Sequence, residues 1–181
     1  MLRGERVLLR AMTRDDLKTY WAFRQDVEIV LLADDFPPRP RSFEEIEQVY
    51  EAHQRSGGDI VWFAIEADGK FIGQCLLHNF HHVAMSCELG ITIGDRDYWS
   101  RGYGREVVGL LVDYAFGLLN QHRVWLTTNA GNERAIRSYL AAGFREEGRL
   151  RDHYWIDGAY DDAVYMGVLR SDWESHREGR S

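Results

Sequence analysis

The sequence contains few cysteines and no long apolar run. Cys75 and Cys87 are the only cysteines among its 181 residues, and they lack the paired spacing of a zinc or redox site. We therefore expect both to be reduced thiols in the core. No stretch approaches the roughly 20 consecutive apolar residues that span a bilayer, and residues 1–6 contain no signal-peptide core. These absences predict a cytoplasmic location and no membrane partner.

The chain also lacks an excess of basic residues. Its formal net charge is −7 at pH 7, with 29 acidic side chains against 22 lysines and arginines. Proteins that bind nucleic acid normally carry a basic patch, so this charge argues against a nucleic-acid partner. An acidic surface attracts cations, and the charge therefore favours a cationic ligand.

The rest of the composition is typical of a globular protein. Hydrophobic residues make up 45% of the chain and aromatic residues 13%, which excludes a disordered chain. A chain of this length can bury a substantial core, and it shows no internal repeat or interdomain linker. We therefore expect residues 1–181 to form one domain, with the informative motifs between about residues 6 and 173.

Hydrophobic periodicity and turn signals predict the element order β-α-α-β-β-β-α-β-α-β-β. Capping-box patterns at Thr13 and Ser42 begin the first two helices, which should end near residue 25 and near residues 56–58. Asp68-Gly69 and Asp157-Gly158 mark hairpin turns. The predicted strands cover residues 6–10, 60–65, 71–77, 87–93, 123–128 and 163–168, together with a strand before the second turn. This order predicts an α/β fold whose mixed sheet has antiparallel hairpins before residue 98 and a βαβ unit after it.

A glycine-spaced turn opens the longest predicted helix. Tyr98-Trp99 precedes the turn, and Gly102 and Gly104 lie within it. The apolar residues that give this helix a buried face, to about residue 120, are Val107, Leu111, Tyr114, Ala115 and Leu118. Glycines allow a tight turn and the close approach of a ligand, and the N–H groups at a helix start favour an anion, most often a phosphate. A tight turn without a ligand is the alternative.

Two common phosphate motifs do not fit this turn. A P-loop requires a lysine after its glycines, and Arg105-Glu106 stand there instead. A dinucleotide-binding fingerprint requires a third glycine where Val107 lies, and it usually begins a fold rather than following several strands.

The surrounding motifs indicate a different phosphate-containing cofactor. Residues 98–106, Tyr-Trp-Ser-Arg-Gly-Tyr-Gly-Arg-Glu, resemble the acetyl-CoA pyrophosphate loop of the GNAT N-acetyltransferase superfamily. They are similar in particular to its Rim-type branch, which includes ribosomal-protein and diamine N-acetyltransferases. The resemblance continues through an Asn-rich turn at residues 129–136, a helix that ends in Gly143-Phe144, and a hairpin within residues 147–162. One departure is Trp99, because the superfamily often has Gln or Arg three positions before its first glycine, although the Rim-type branch commonly has an aromatic residue there.

The resemblance implies the GNAT acyl-CoA N-acyltransferase fold, with a central, mostly antiparallel sheet and a βαβ unit that binds acetyl-CoA without a metal. Ile91, Thr92 and Ile93 would line the pantetheine arm through backbone groups. The diphosphate would lie on the loop formed by Arg101, Gly102, Tyr103, Gly104 and Arg105. The side chains of Arg101 and Arg105 would either contact a phosphate or remain solvated. Asn132 would hold the cofactor arm, cap the helix that it begins, or do both.

The resemblance also implies catalytic roles. Tyr139 would protonate the departing thiolate, since an unperturbed tyrosine with a pKa of about 10 is protonated at neutral pH; the alternative is a core aromatic. Glu88 would accept the ammonium proton of the acceptor directly or through water, unless it is only a surface or salt-bridged carboxylate. One of His78, His81 and His82 would line the acceptor pocket, but three histidines without carboxylates do not favour a metal site.

The acceptor would enter between the amino-terminal helices and the carboxy-terminal hairpin. Candidate residues along its path are Asp34, Asp35, Phe36, Tyr154 and Trp155. The two aspartates would suit a cationic amine, and solvated loop charges are the alternative explanation for them.

The sequence therefore predicts an acetyl-CoA-dependent N-acetyltransferase in which a primary amine attacks directly within a ternary complex. A protein amino terminus, a polyamine and a small amine all remain open as the acceptor, and a homodimer is compatible with this interpretation. Two other hypotheses are a non-catalytic CoA-binding or sensory module with the same fold, and a domain that binds nucleotide phosphates. The presence of both Tyr139 and Glu88 favours catalysis over the sensory module.

Overall fold

The computed structural model of the chain describes residues 1–33, 37–55 and 59–178. Within these ranges the chain forms one eight-stranded sheet and six α-helices. The strands are β1 Leu2–Arg3, β2 Val7–Ala11, β3 Val61–Ala67, β4 Lys70–His81, β5 Ser86–Ile93, β6 Arg123–Asn129, β7 Arg145–Ile156 and β8 Ala159–Leu169. The helices are α1 Leu17–Phe23, α2 Val27–Ala33, α3 Phe43–Gln54, α4 Tyr103–Gly117, α5 Glu133–Ala141 and α6 Arg170–Glu178, with short 3₁₀ turns at Arg14–Asp16 and Arg96–Tyr98.

The strands lie in the order β1-β2-β3-β4-β5-β6-β8-β7. Among the described strands, neighbours are antiparallel except β5 and β6, whose parallel register runs from Ser86 opposite Arg123 to Glu88 opposite Trp125. A parallel pair requires a crossover connection, and α4 supplies it. This mostly antiparallel sheet with a βαβ unit at its centre confirms the fold class expected from the sequence.

Polar side chains begin the amino-terminal helices. The N–H of Thr13 donates to Asp16 Oδ2 over 2.9 Å, and Ser42 Oγ accepts from the N–H of Glu45 over 3.2 Å. Both capping boxes predicted from the sequence are therefore present. The first opens the 3₁₀ turn that leads into α1, and the second opens α3. The predicted end of the second helix, at residues 56–58, lies outside the described residues.

The sequence patterns do not predict β1, α2 or α6. Asp26 Oδ1 accepts from the N–H groups of Glu28 and Ile29 over 3.0 and 3.4 Å, so Asp26 caps the start of α2. β1 consists of two residues that pair with β2, and α6 follows β8 directly. Of these elements, α2 is the one that matters below, because its residues Leu32 and Ala33 line the same cavity as Gly102 and Gly104.

The apolar face of α4 packs against the sheet. Val107, Leu111 and Ala115 are fully buried in the main core, as their helical spacing predicts. The assignment of Leu118 to this face is wrong, because α4 ends at Gly117 and the side chain of Leu118 is 70% exposed. The start of α4 is thus held in a fixed position against the core, which matters for any ligand that binds there.

Cys75 and Cys87 are free thiols buried in the main core, which confirms the expectation from their spacing. In the described part of the chain, no helix combines the length and the apolar character that crossing a membrane requires.

Candidate active site

The two parallel strands separate after Glu88. Their pairing covers Ser86 to Glu88, and the following residues of β5, up to Ile93, pair only with β4. On β6, the residues from Leu126 onward pair only with β8. A gap therefore opens at the carboxyl ends of two parallel strands, which is where open α/β sheets bind their ligands.

Two cavities meet at this gap. The first, here called the loop cavity, is lined by Ile29, Leu32, Ala33, Ile91, Thr92, Ile93, Tyr98, Trp99, Ser100, Gly102, Gly104, Val108, Asn132, Arg134, Ala135, Ser138 and Tyr139. The second, here called the carboxylate cavity, is lined by Leu32, Ala33, Gln74, Leu76, His78, Glu88, Leu89, Gly90, Ile91, Thr92, Thr127, Thr128 and Tyr139. The residues common to both are Leu32, Ala33, Ile91, Thr92 and Tyr139. The end of α2, the middle of β5 and Tyr139 thus form the boundary between the cavities.

The glycine turn lines the loop cavity. Gly102 is the N-cap of α4 and has a φ of 85°, in the left-handed region that favours glycine; Ser100 lies in the same region with a φ of 56°. The first N–H groups of a helix have no carbonyl within that helix to which they can donate. A Cβ at Gly104 would lie 3.7 Å from Ile93 Cδ1, so a side chain there would extend into space between the turn and β5. The turn can therefore bind an anion through backbone N–H groups and the positive end of the helix dipole.

Most of the residues assigned to the cofactor by resemblance lie at the loop cavity. Ile91, Thr92, Ile93, Gly102, Gly104 and Asn132 all line it. Asn132 is buried: its Oδ1 accepts from the N–H of Ala135 over 3.3 Å, and its Nδ2 donates to the carbonyl of Leu32 over 3.5 Å. Asn132 therefore caps α5 and joins it to α2. Its contact with a cofactor stays a prediction.

Three side chains of the loop lie outside this cavity. Arg101 donates from Nη1 to the carbonyl of Asp97 over 3.0 Å. Tyr103 is buried, with the guanidinium carbon of Arg6 at 4.8 Å from its ring centroid. Arg105 is exposed and lines a separate groove. At these three positions the side chains do not line the loop cavity in this structure, and their contact with a ligand stays a prediction.

Trp99 and Arg134 also line the loop cavity, although the sequence assigned neither of them a role there. Trp99 Nε1 donates to the carbonyl of Ile93 over 2.7 Å, which joins the turn to the end of β5. Arg134 on α5 is half-buried, and its guanidinium carbon lies 3.8 Å from the Trp99 ring centroid. Arg134 belongs to the motif at residues 129–136, but spacing alone does not distinguish a side chain that faces a ligand from one that faces solvent.

Tyr139 lies where the two cavities meet. It is 7% exposed, and its ring packs against Phe144 with the centroids 5.9 Å apart. None of the described residues forms a hydrogen bond with its hydroxyl group. Burial raises the pKa of Tyr139 to about 12, so the hydroxyl group keeps its proton at neutral pH. Tyr139 therefore belongs to the core, lines both cavities and keeps a protonated hydroxyl group at neutral pH.

Glu88 lies in the carboxylate cavity, beside the point where β5 and β6 separate. Asn79 Nδ2 donates to Glu88 Oε2 over 2.7 Å, and His78 Nε2 lies 3.9 Å from the same oxygen. The Glu88 side chain is 14% exposed. It is thus a mostly buried carboxylate that is oriented by Asn79 and still lines a cavity.

Of the three neighbouring histidines, His78 alone lines this cavity. The Nδ1 atom of His81 accepts from the N–H of Ala84 over 2.9 Å within the turn after β4, and His82 is exposed in that turn. Across residues 1–33, 37–55 and 59–178, no group of three or more His, Cys, Asp or Glu side chains could hold a metal ion.

The residues that line the carboxylate cavity differ from those predicted to lie along the path of the acceptor. Gln74, Thr127 and Thr128 line the carboxylate cavity, although the sequence does not indicate them. Tyr154 and Trp155, named as candidates from the sequence, do not line it. Tyr154 is buried, while Trp155 is 56% exposed and packs against Tyr160 near the tip of the β7–β8 hairpin. The other candidates, Asp34, Asp35 and Phe36, lie outside the described residues.

Comparison with known proteins agrees with this geometry. The family model described as Acetyltransferase (GNAT) domain matches residues 6–145. The spermidine N(1)-acetyltransferase of Vibrio cholerae is 28% identical over 175 residues, which cover 97% of this chain and 99% of that protein. The spermidine N(1)-acetyltransferase of Escherichia coli K12 is 29% identical over 164 residues, which cover 91% of this chain and 86% of that protein. The crystal structure of spermidine N-acetyltransferase from Vibrio cholerae in complex with CoA and spermine matches with a TM-score of 0.85 at 28% identity, covering 94% of this chain and 99% of that chain.

Proposed function

The chain belongs to the GNAT acetyltransferase family, and on that premise we propose that it acetylates a primary amine by direct attack within a ternary complex. It is an N-acetyltransferase, and acetyl-CoA is its donor substrate. The observation that carries the proposal is the position of Tyr139, which lines the loop cavity and the carboxylate cavity at once. A donor in one cavity and an amine in the other would meet beside a buried hydroxyl group.

The residues of the loop cavity fit acetyl-CoA. When bound, acetyl-CoA supplies an activated acetyl thioester at the end of a long arm that begins at a diphosphate. The N–H groups of the turn at Gly102 and Gly104 would hold the diphosphate. The edge of β5 that faces β6 has no strand partner beyond Glu88, so backbone groups from Ile91 to Ile93 would bind the arm as an added strand is bound.

Tyr139 would give its hydroxyl proton to the leaving sulfur. Because burial keeps the pKa of Tyr139 at about 12, the group is fully protonated at neutral pH. No described hydrogen bond holds the hydroxyl group elsewhere, so it remains free to donate.

Glu88 would prepare the acceptor. A primary amine is mostly an ammonium ion at neutral pH, and only the neutral amine can attack a carbonyl carbon. Glu88 is the only carboxylate among the described residues that line the carboxylate cavity, so it would attract the ammonium group and then accept its proton. Asn79 would keep the carboxylate in position through its hydrogen bond of 2.7 Å.

A polyamine is the acceptor that we propose. The two relatives described above are spermidine N(1)-acetyltransferases, and the crystal structure of one contains spermine. The net charge of −7 favours the approach of a polycation. Besides Glu88, the residues that line the carboxylate cavity include the neutral polar residues Gln74, Thr127 and Thr128. One carboxylate among neutral polar side chains suits a single terminal amino group.

An acetyl-transfer assay with a panel of amines tests this proposal. Acetyl-CoA would be mixed with spermidine, spermine, a small monoamine or a peptide with a free amino terminus, and released CoA would be measured with a thiol reagent. We expect spermidine or spermine to react fastest. Glu88→Gln should slow transfer about 100-fold at pH 7, and its rate should recover towards about pH 10 because the amine then loses its proton without help. Glu133→Gln, which removes the same charge from a 77% exposed side chain, is the matched control.

Two results would count against the proposal. If acetyl-CoA binds but no amine accelerates CoA release, the non-catalytic CoA-binding module becomes the better account. If Glu88→Gln transfers acetyl groups at the wild-type rate at pH 7, Glu88 is not the base.

A further inference from the structure

Arg134 is the only charged residue among the described residues that line the loop cavity. It lies on the first turn of α5, two residues after the N-cap Asn132, and it is half-buried. The same cavity is lined by Gly102 and Gly104, so the guanidinium group and the glycine turn adjoin one space. The position of Arg134 therefore suits an anion held by the turn.

The Trp99 ring supports this guanidinium group. Its centroid lies 3.8 Å from the Arg134 guanidinium carbon, which is the geometry of a close cation–π contact. The indole N–H of Trp99 donates to the carbonyl of Ile93 over 2.7 Å, so the ring itself is fixed to the end of β5. Arg134 is thus held beside the cavity by a rigid aromatic surface rather than by an opposite charge.

The nearby carboxylates are engaged by another arginine. Arg96, whose guanidinium carbon lies 5.1 Å from the same Trp99 ring centroid, forms ion pairs with Asp26 at 2.8 Å and Glu28 at 2.6 Å. Among the described residues, no carboxylate forms an ion pair with Arg134. Burial lowers the pKa of Arg134, and the nearby Arg96 lowers it further, while the charge of Glu28 only partly opposes these effects. Arg134 has therefore lost part of its hydration without a full compensating charge. Such a group gains most from an anionic ligand.

We infer that Arg134, supported by Trp99, binds the diphosphate of acetyl-CoA. This inference rests on the proposed function, and it names the side chain that complements the backbone N–H groups of the turn. The positive side chain at the loop cavity therefore comes from α5 and not from the glycine turn. The side chains of Arg101 and Arg105, which the sequence offered for this role, lie outside the loop cavity.

Titration calorimetry with three donor analogues tests the inference. The ligands are acetyl-CoA, 3′-dephospho-acetyl-CoA, and S-acetylpantetheine, which lacks the diphosphate. We expect Arg134→Gln to raise the Kd of acetyl-CoA and of the 3′-dephospho form by about 10- to 100-fold, because a charge-assisted hydrogen bond is lost. The Kd of S-acetylpantetheine should not change. Arg134→Lys, which keeps the charge, should restore part of the affinity.

Arg137→Gln is the matched control, because it removes the same charge from the same helix. Arg137 is 68% exposed and pairs with Glu133 over 3.0 Å on the solvent side. Its loss should leave the Kd of acetyl-CoA within about twofold, since exposed ion pairs contribute little. An equal loss of affinity in Arg137→Gln and Arg134→Gln would reduce the effect to general electrostatics and overturn the inference.

A double-mutant comparison tests the role of Trp99. Trp99→Leu should weaken acetyl-CoA binding, and the double variant with Arg134→Gln should bind less weakly than the product of the two single effects predicts. If the effects of the two substitutions simply multiply, Trp99 does not support Arg134, and that part of the inference is overturned.

Three further outcomes would contradict the assignment. If Arg134→Gln binds acetyl-CoA as tightly as wild type, Arg134 contacts no phosphate, while the proposed function stands. If the loss disappears with the 3′-dephospho form, the contact is to the 3′-phosphate and the diphosphate assignment is overturned. If wild type binds acetyl-CoA with no heat and no thermal shift, the proposed function fails together with the inference.

Discussion

At the scale of single residues, burial gives Tyr139 the protonation state that the proposed acid role requires. The residue is 7% exposed, and its pKa is raised to about 12 by burial. Glu88 lines only the carboxylate cavity, whereas Tyr139 lines both cavities. Because the proposed roles of the two groups differ, one as an acid for the leaving sulfur and one as a base for the amine, their removal should affect different steps.

Tyr139→Phe should lower kcat by about 100-fold and leave the KM of acetyl-CoA within about twofold, because the ring remains and only the donated proton is lost. The raised pKa also predicts that the wild-type rate does not fall through deprotonation of this tyrosine below about pH 11. Initial rates measured from pH 7 to 11 check both points. Tyr114→Phe, which removes a hydroxyl group from a half-buried tyrosine outside both cavities, is the control. An unchanged kcat in Tyr139→Phe would exclude the acid role.

Residue spacing predicts some contacts of the site better than others. The motif around Asn132 and Tyr139 predicts a capped helix with a tyrosine on its inner face, because helical periodicity fixes which positions share a side. Residue spacing does not predict which of the arginine side chains, Arg101, Arg105 or Arg134, reaches the loop cavity. Long side chains choose their direction from tertiary partners, such as the Asp97 carbonyl for Arg101 and the Trp99 ring for Arg134.

At the scale of elements, the segment before β2 fixes the start of α4. Glu106 Oε1 accepts from the N–H of Arg6 over 2.9 Å and from that of Val7 over 3.3 Å, and Arg6 Nη1 donates to the carbonyl of Arg101 over 2.8 Å. Burial by itself raises the pKa of Glu106, but the two N–H donors and the Arg6 guanidinium lower it below its usual value. A Cβ at Gly4 would lie 2.2 Å from Glu106 Oε1, so a side chain there would push the Glu106 carboxylate away from these donors.

Glu106→Ala should destabilise both the fold and the glycine turn. Two backbone N–H groups and the Arg6 guanidinium would lose their acceptor, which costs about 1–3 kcal/mol of unfolding free energy. Because Glu106 has a lowered pKa when folded, its contribution is present above the unfolded pKa and is lost as the pH falls through the folded pKa. Acetyl-CoA binding should weaken as well, since Arg6 would no longer hold the Arg101 carbonyl. Urea unfolding at pH 7 and pH 4, with calorimetry at pH 7, measures these effects.

Glu51→Ala is the control for this prediction, because Glu51 pairs with Arg14 at 2.9 Å between two exposed side chains. It should change the unfolding free energy by less than about 0.5 kcal/mol. Equal stability losses in the two variants, or unchanged acetyl-CoA affinity in Glu106→Ala, would show that the Arg6–Glu106 pair does not position the turn.

The elements that the sequence predicts are those with strong local signals. Capping boxes at Thr13 and Ser42 and the turn at Asp68-Gly69 predict the starts of the first and third helices and the β3–β4 hairpin, and all three features are present. The helix α2 is missed because Val27–Ala33 is a short, nearly continuous apolar run, and such runs do not distinguish helix from strand. The cap at Asp26 is the signal that could have identified it.

At the scale of the whole molecule, the site depends on the separation of β5 and β6. The two cavities exist because pairing stops at Glu88 and because α2, α4 and α5 close around the gap. The sequence predicts the βαβ connection, but the end of strand pairing results from long-range packing. For the same reason Gln74, Thr127 and Thr128 join the site without any local motif.

The whole molecule also favours direct attack over a covalent acetyl-enzyme. Cys75 and Cys87 line neither cavity, and burial raises the pKa of both thiols, that of Cys87 to about 12. A buried, protonated thiol is a poor nucleophile. This excludes the two cysteines as acetyl carriers and supports the proposal that the amine reacts while both substrates are bound.

Initial rates with both substrates varied test this central claim most directly. CoA release would be followed at several fixed concentrations of spermidine, or of the fastest amine in the panel, while acetyl-CoA is varied. Direct attack in a ternary complex predicts double-reciprocal lines that intersect, and product analysis should show acetylation at a primary amino group. Parallel lines, which indicate an acetyl-enzyme intermediate, would contradict the account.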